Sequence, residues 1–208
     1  TYEDSEEFYK SKFNLIIQKQ INHLINEIEK SKFVDNKIVG CAAIILTGLS
    51  LNEKEKYLNF GLSILKKIID FSFDNQNFPK SRNIRQLIFY LKYFVLIREW
   101  LKESQSEIPE YLNEIIFYLG KSYSILCQGK TKAILFNGSH EINNKEFDNY
   151  LNNHGYKFKS DSFETGDYIF LKNKKISLIM DIGSSPEKKF SKDYQSGALS
   201  FEIIIGDK

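Results

Sequence analysis

The sequence predicts an α+β protein in which helices come first and an antiparallel sheet follows. Up to about residue 128, apolar side chains recur every three or four positions, which is the spacing of one face of a helix. From about residue 130, short aliphatic and aromatic runs alternate with turn residues, which is typical of strands. Only 3 of the 208 residues are proline, and this suits long helices and strands. We therefore predict a helical domain over residues 1–128 and a sheet domain over residues 129–208.

Three helices are predicted before residue 73. The apolar stripe of the first consists of Phe8, Phe13, Ile16, Ile17, Ile21, Leu24 and Ile28. Asp35 or Asn36 can cap the second helix, because both side chains accept hydrogen bonds from free N–H groups, and Gly48 marks its end. Asn52 and Glu55 have the spacing of a capping box for the third helix. The loops are short, as expected for helices that pack as antiparallel hairpins.

Two further helices follow the turn-rich segment 74–79. The fourth is predicted from about Asn83 to Leu101, with an apolar face that includes Leu87, Leu91 and Phe94. Pro109 suits the first turn of the fifth helix, because that turn does not need its N–H group.

The second half of the chain contains four strand-like runs. They are residues 133–136, 168–171, 176–180 and 198–205. Asn173-Lys174 lies between two of these runs and is a candidate hairpin turn. Four strands cannot easily form a closed two-layer sandwich, so one apolar face would be left exposed. We therefore expect the native chain to continue past Lys208.

Composition and charge exclude several classes of function. The 29 Lys and Arg residues against 27 Asp and Glu residues give a formal net charge of +2, which is too small for a nucleic-acid module. No apolar run reaches the ~18 residues of a membrane span. Cys41, Cys127 and the three scattered histidines lack metal-ligand spacing, so neither a metal nor another cofactor is predicted. The first residues are acidic and do not form a signal peptide, so the location of the protein stays open.

Five short segments occur in the order known from one family. They are Asp35-Asn36-Lys37, Phe78-Pro79-Lys80-Ser81-Arg82-Asn83, Leu135-Phe136-Asn137-Gly138, Gly183-Ser184-Ser185-Pro186 and Gly197-Ala198-Leu199-Ser200-Phe201-Glu202. Together they resemble the heparinase II/III-like family of polysaccharide lyases, and the resemblance covers most of the chain. It implies the helical hairpins of an incomplete α/α toroid, followed by the start of an antiparallel β-sandwich.

The resemblance also implies a reaction, which is β-elimination on an acidic, uronate-containing glycan. One group neutralises the uronate carboxylate and so acidifies the C5 proton. A Tyr or His base then removes this proton, and an acid protonates the leaving glycosidic oxygen. The implied partner is therefore an acidic polysaccharide or oligosaccharide, and neither a nucleic acid nor a membrane.

Four residues are implied as catalytic by their positions in the family pattern. Asn36 falls where the family's carboxylate-binding Asn stands, and Lys37 occupies the next position, which is often His. The position of the family's Tyr corresponds to about Gln86, and Tyr90 lies one helical turn further along the same face. Gln195 stands at a position where active members carry a His.

Five further residues are implied as substrate-binding. Arg82 could grip a sugar carboxylate in a bidentate manner together with Asn83, although both could equally serve as a helix cap and surface charge. Asn137 and His140 lie in a turn that is near the boundary between toroid and sandwich in the family. Tyr194 precedes Gln195 in the last loop.

Two alternatives remain open at this point. Gln86, Asp193, Gln195 and Gly197 stand where the family has Tyr, His and Asp, so the chain could be a catalytically inactive member that binds glycans. The family's zinc ligands are among the missing residues, which again predicts no metal. The helix hairpins alone would also suit a helical interaction domain. A second copy of the chain could complete the unfinished sheet, so a homodimer is a further partner to consider.

Overall fold

Six α-helices and a four-stranded antiparallel sheet make up the regular structure of this α+β chain, so the predicted fold class is confirmed. The computed structural model describes residues 7–51, 54–127, 134–139, 143–173, 175–192, 194–195, 197 and 199–205. The helices are α1 (Glu7–Glu27), α2 (Val34–Ser50), α3 (Lys54–Ser72), α4 (Ile84–Glu103), α5 (Glu110–Leu126) and α6 (Lys145–Asn153). The strands are β1 (Glu164–Thr165), β2 (Tyr168–Lys172), β3 (Ile176–Asp181) and β4 (Phe201–Ile205). No helix in these ranges has both the length and the apolar character that a membrane crossing requires.

The residues fall into two compact units. The first unit comprises Thr1–Phe71 and Leu96–Ile108, and the second comprises Ser72–Val95 and Pro109–Lys208. Helix α4 contributes its N-terminal half to the second unit and its C-terminal half to the first. The predicted domain boundary at residues 128–129 lies outside the described residues and stays a prediction.

Close packing of α2 against α3 organises the first unit. A Cβ atom on Gly48 would lie 2.7 Å from the backbone nitrogen of Leu58, and one on Gly61 would lie 2.6 Å from Cγ1 of Ile45. The two helices therefore approach closely at positions where only glycine fits. The start of α2 differs from the prediction. The residue that precedes it is Phe33, which makes no side-chain cap, and Asp35 lies inside the first turn.

The helix cap that was the alternative role of Asn83 is observed at the start of α4. Asn83 stands directly before the helix, and its Oδ1 accepts a hydrogen bond from the backbone N–H of Gln86 at 3.1 Å. Pro109 precedes α5 as the N-cap residue, one position before the predicted first turn. Asn52, which was predicted to cap α3, lies outside the described residues.

The sheet is a meander in which β1, β2, β3 and β4 are neighbours in that order. The predicted strands at 168–171 and 176–180 correspond to β2 and β3, and Asn173 forms the turn between them, with its Oδ1 accepting the N–H of Ile176 at 2.8 Å. The last strand begins at Phe201, later than predicted. The strand predicted over residues 133–136 is wrong for its described residues 134–136, which are irregular.

The two faces of the sheet differ sharply in exposure. Tyr168, Ile179 and Asp181 point to the inner face and are completely buried. The paired residues on the other face are apolar and more exposed. Ile169, Leu178 and Met180 are half-buried there, and the exposed residues are Leu171, Ile176, Phe201, Ile203 and Ile205. Within the described part of the chain, one apolar face of the sheet is thus largely exposed, as expected for a sheet of only four strands.

Candidate functional site

Three of the predicted substrate-binding residues belong to one buried network in the second unit. Arg82, Asn83 and Asn137 are only 7%, 1% and 4% exposed, respectively. Arg82 and Asn83 come from the segment before α4, and Asn137 comes from the segment that follows α5. The structure therefore brings these three residues together. Most of their polar side-chain atoms bond other protein groups, whereas Oδ1 of Asn137 is buried with no hydrogen-bond partner within the described part of the chain.

Arg82 is the centre of this network. Its Nη2 atom lies 2.6 Å from Oδ1 of Asp181, whose side chain is completely buried at the end of β3. The guanidinium also donates to the carbonyl oxygens of Gly166 at 3.3 Å and Ser184 at 3.1 Å, and it lies 4.9 Å from the ring centroid of Tyr168. A buried guanidinium needs this kind of compensation, because the desolvation of an unpaired charge is costly. The geometry gives Arg82 a structural role, and its contact with a substrate stays a prediction.

Asn137 connects the other side of Asp181 to Tyr168. Its Nδ2 donates to Oδ2 of Asp181 at 3.1 Å and makes a short hydrogen bond to Oη of Tyr168. Tyr168 in turn donates to the carbonyl oxygen of Arg82 at 2.6 Å, and Asn83 donates to the carbonyl oxygen of Asn137 at 2.8 Å. Every one of these groups is buried, so each hydrogen bond replaces one that water would otherwise supply.

Burial strengthens the preference of Tyr168 for its protonated form. Desolvation raises the pKa of its hydroxyl group above the ordinary value, although the nearby positive charge of Arg82 acts in the opposite direction. The phenol therefore stays protonated at neutral pH and remains a hydrogen-bond donor. Tyr168 holds the network together and cannot serve as a base in this state.

The backbone around the network is strained. Arg82, Asn137 and Asp167 have φ angles of 55°, 53° and 59°, which is the left-handed region that residues with a side chain rarely adopt. Such conformations persist only where surrounding contacts hold them. Gly183 is required for a different reason, since a Cβ atom at this position would lie 2.2 Å from Cζ of Arg82.

Asn36 and Lys37, the predicted carboxylate-binding pair, lie in the first unit. Asn36 is exposed in the first turn of α2 and does not cap the helix, which corrects the capping prediction. Lys37 is half-buried, and its Nζ donates to the carbonyl oxygen of Glu29 at 3.1 Å. The side chain of Asn36 is thus accessible to a ligand, and the catalytic role of both residues stays a prediction.

Tyr90, the candidate base, is buried within α4. It is 3% exposed, and its ring centroid lies 5.3 Å from that of Phe73 and 6.3 Å from that of Phe94. Gln86, one turn earlier, is half-buried. Aromatic packing accounts for the position of Tyr90, and its catalytic role stays a prediction.

The last two predicted residues of the described chain lie in the loop between β3 and β4. Tyr194 is half-buried, and its Oη accepts a hydrogen bond from Oγ of Ser185 at 3.2 Å, whereas Gln195 is exposed. His140 and Asp193 lie outside the described residues. The substrate-binding role of His140 stays a prediction.

Asp181 and Tyr168 were missed as site residues. Tyr168 was predicted only as part of a strand, and Asp181 lies one position after the predicted strand 176–180. The available signal was an acidic side chain directly after the mostly apolar run Ser177-Leu178-Ile179-Met180 and two residues before Gly183. A carboxylate at the end of a buried strand needs a cation, and the chain contains only three arginines. That reasoning would have paired Asp181 with an arginine, but not specifically with Arg82.

A separate cavity of about 400 Å³ lies in the first unit. It is lined by Phe13, Asn14, Ile17, Leu46, Thr47, Ser50 and Leu51. Its walls are mostly apolar, and none of the predicted site residues lines it. Within the described part of the chain, no group of three or more His, Cys, Asp or Glu side chains could hold a metal ion.

Comparison with solved structures identifies the fold. A crystal structure of heparinase III matches with a TM-score of 0.71 at 15% sequence identity, covering 96% of this chain and 38% of that chain. A crystal structure of the heparan sulfate lyase HepC from Pedobacter heparinus matches with a TM-score of 0.67 at 10% identity, covering 87% of this chain and 33% of that chain. No protein-family model and no curated protein matches the sequence. The chain thus has a heparinase-like fold and spans about a third of the length of these neighbours.

Proposed function

We propose that this chain is part of a polysaccharide lyase that cleaves an acidic, uronate-containing glycan by β-elimination. The observation that carries the proposal is the likeness to heparinase III, which extends over 96% of the chain. The second neighbour is a heparan sulfate lyase by name. Both neighbours are consistent with the heparinase II/III-like family, which the five sequence segments and their order suggested.

The carboxylate of the substrate would be met by Asn36 and Lys37. The exposed amide of Asn36 stands in the first turn of α2, where the partial positive charge of the helix N-terminus favours an anion. The ammonium group of Lys37 adds a full positive charge nearby. Neutralising the carboxylate in this way stabilises the charge that develops when the C5 proton leaves.

Removal of the C5 proton is assigned to α4. Tyr90 is the candidate base on α4, and its burial means that a substrate would need a rearrangement to reach its hydroxyl group. The exposed amide of Gln195 would donate a hydrogen bond to the glycosidic oxygen, and solvent water would supply the proton that this oxygen takes up as it leaves. Arg82, Asn83 and Asn137 would support the loops around the substrate through their buried contacts.

The direct test is the absorbance of the unsaturated product. The chain is mixed with heparan sulfate, alginate and other uronate polymers, and we expect product from at least one of them.

Replacement of Asn36 by Ala should lower kcat/KM at least about tenfold without changing the melting temperature, because it removes a donor to the developing charge. Asn59→Ala, at an exposed position of α3, is the matched control. Binding without product would favour the inactive glycan-binding alternative, and the absence of both would contradict the proposal.

A second copy of the chain is the other partner that we propose. Phe201, Ile203 and Ile205 give β4 an exposed apolar face, and β4 is an outer strand of the described sheet. Pairing between two copies would cover apolar surface and bond the free edge at the same time. Sedimentation equilibrium should report a dimer, and Ile203→Lys should shift it to a monomer. A monomer at all concentrations in the unsubstituted chain would contradict this prediction.

A further inference from the structure

Asn137 and Gly138 are the only Asn-Gly pair in the 208 residues. Glycine has no Cβ, so its backbone nitrogen can approach the side-chain amide of a preceding asparagine without steric hindrance. In the reaction that follows, the electron pair of the Gly138 nitrogen forms a bond to Cγ of Asn137, and the bond between Cγ and Nδ2 breaks. Ammonia leaves with the hydrogen of the Gly138 nitrogen. Water then opens the cyclic imide and leaves aspartate or isoaspartate at position 137.

The folded chain does not stabilise the charge that this attack creates. Addition to Cγ places negative charge on Oδ1, which hydrogen-bond donors or water would have to stabilise. Among the described residues, Oδ1 of Asn137 is buried and has no hydrogen-bond partner. The whole residue is only 4% exposed, so it has little contact with solvent. Negative charge in such a site is costly, and the attack is therefore disfavoured.

The leaving nitrogen is held by two other buried side chains. Nδ2 of Asn137 donates to Oδ2 of Asp181 at 3.1 Å and makes a short hydrogen bond to Oη of Tyr168. Both acceptors are completely buried. Departure of ammonia would leave them without this donor, and an unsatisfied buried acceptor costs free energy. The network therefore favours the intact amide.

The backbone turn keeps the attacking nitrogen away from Cγ. Asn137 and Gly138 have φ angles of 53° and 78°, and the N–H of Ser139 donates to the carbonyl oxygen of Phe136 at 3.0 Å. Positive φ at both central residues is the pattern of a type I′ turn. Closure of the imide ring requires rotation about the Cα–C bond of Asn137, which the turn and the buried side chain both oppose. The turn has to open before the reaction can begin.

We infer that Asn137 is a deamidation site that the fold protects, and that unfolding of the second unit exposes it to irreversible conversion. The inference goes beyond the proposed lyase function and does not depend on it. Conversion replaces a donor with a carboxylate that would face the carboxylate of Asp181, and two like charges in a buried site repel each other. Isoaspartate also adds a methylene group to the backbone of the turn. A chain that is modified while unfolded therefore refolds to a less stable structure.

Mass spectrometry of tryptic peptides measures the conversion. The full chain is incubated in neutral buffer, once folded and once in guanidinium chloride, and the peptide that contains Asn137 is followed over time. We expect conversion to be at least about tenfold slower in the folded chain, since only molecules with an open network react. Asn59, which is exposed and precedes the bulky Phe60, is the internal reference and should react slowly in both conditions. Equal rates at Asn137 in the two conditions would overturn the inference.

Tyr168→Phe tests the contribution of the network itself. The variant keeps the ring but removes the oxygen that accepts from Nδ2 of Asn137. In neutral buffer without denaturant, it should deamidate at least about threefold faster than the unsubstituted chain, because one hydrogen bond to the leaving nitrogen is lost. Tyr118→Phe, at an exposed position of α5, is the matched control and should leave the rate unchanged. An unchanged rate in Tyr168→Phe would overturn the protective role of the hydrogen bonds.

Asn137→Asp tests the consequence of the modification. This variant should unfold at a lower urea concentration than the unsubstituted chain, or have no folded state at all. Asn59→Asp makes the same change of charge at an exposed position of α3 and should keep the urea midpoint of the unsubstituted chain. Equal midpoints for the two Asp variants would contradict the claim that a deamidated chain cannot restore the network.

Discussion

At the scale of single residues, the ion pair between Arg82 and Asp181 has the largest expected effect on stability. Both side chains are almost completely buried, so removing the carboxylate leaves the guanidinium with only the half-exposed carboxylate of Asp167, which lies 3.9 Å from its Nε atom. We expect Asp181→Leu to lower the free energy of unfolding by about 3–5 kcal/mol in a urea titration. Glu187→Gln breaks the exposed pair with Lys189 and should cost less than about 1 kcal/mol. Similar losses in the two variants would contradict the structural role of the buried pair.

A second residue-scale prediction compares two glycines with positive φ. Gly155 has φ +78° and no atom within 4 Å of an added Cβ, whereas Gly166 has φ +54° and would place its Cβ 2.4 Å from the ring of Phe78. Gly155→Ala should therefore cost about 1 kcal/mol for backbone strain alone. Gly166→Ala adds a steric clash in the core and should cost roughly 1–3 kcal/mol more. Thermal denaturation of both variants measures the difference, and equal melting temperatures would contradict it.

Single residues show clearly what sequence patterns can and cannot reveal. Cys41 and Cys127 are buried, as the local apolar run in which each residue stands would suggest. Arg82 was interpreted as a ligand contact, since its counter-ion is 99 residues away and no local pattern connects the two. Long-range pairing of charges is a property of the folded chain and leaves no periodic signal.

At the scale of elements, Asn83 and Asn36 offer a direct comparison of a true helix cap with a false one. Asn83 accepts the N–H of Gln86 and also donates to Asn137, whereas Asn36 lies inside the first turn of α2. Asn83→Ala should lower the free energy of unfolding by about 2–3 kcal/mol, since a cap and a buried hydrogen bond are both lost. Asn36→Ala should change it by less than about 0.5 kcal/mol. Equal urea midpoints of unfolding for the two variants would contradict the role of Asn83 as a helix cap.

The elements that sequence reasoning missed are short. Helix α6 has nine residues and buries only Phe147 and Leu151, so two apolar positions were too few to establish a helical period. Strand β1 has two residues, and its pairing with β2 is the only reason that it counts as a strand. Residues 134–136 read as a strand because they are apolar, yet Ile134 and Phe136 are buried without joining the sheet. The apolar side chains of this segment therefore reflect burial in the core and not the pairing of a strand.

At the scale of the whole molecule, the change from helical to strand-like spacing was sufficient to predict the fold class. The grouping of residues into two compact units could not be predicted in the same way. The apolar pattern of α4 continues without interruption from Ile84 to Leu101, although Val95 and Leu96 belong to different units. A helix that belongs to two units has the same apolar periodicity in its sequence as a helix that belongs to one.

The whole molecule should lose stability in alkaline solution, because three buried groups resist deprotonation. Burial raises the pKa of Cys41 to about 12, and it raises those of Tyr123 and Tyr168 above their ordinary values. Tyr123 is held further in its protonated form by the hydrogen bond that it donates to Asp148 at 2.6 Å. In the unfolded chain, thiols and phenols ionise near pH ~8.5 and ~10, respectively.

The sign of the effect follows from proton binding. Above pH ~8.5 the unfolded chain binds fewer protons than the folded chain, so each further rise in pH favours unfolding. Stability should be fully retained below pH ~8.5. It should then fall by up to about 1.4 kcal/mol per pH unit for Cys41, and more steeply above pH ~10, when both tyrosines contribute. Urea titrations between pH 7 and 11 measure this slope. Cys41→Ala removes one titrating group, so the free energy of unfolding should depend less on pH between pH ~8.5 and ~10. The variant should also be less stable overall. An unchanged slope in this pH range would mean that burial does not hold the proton on Cys41.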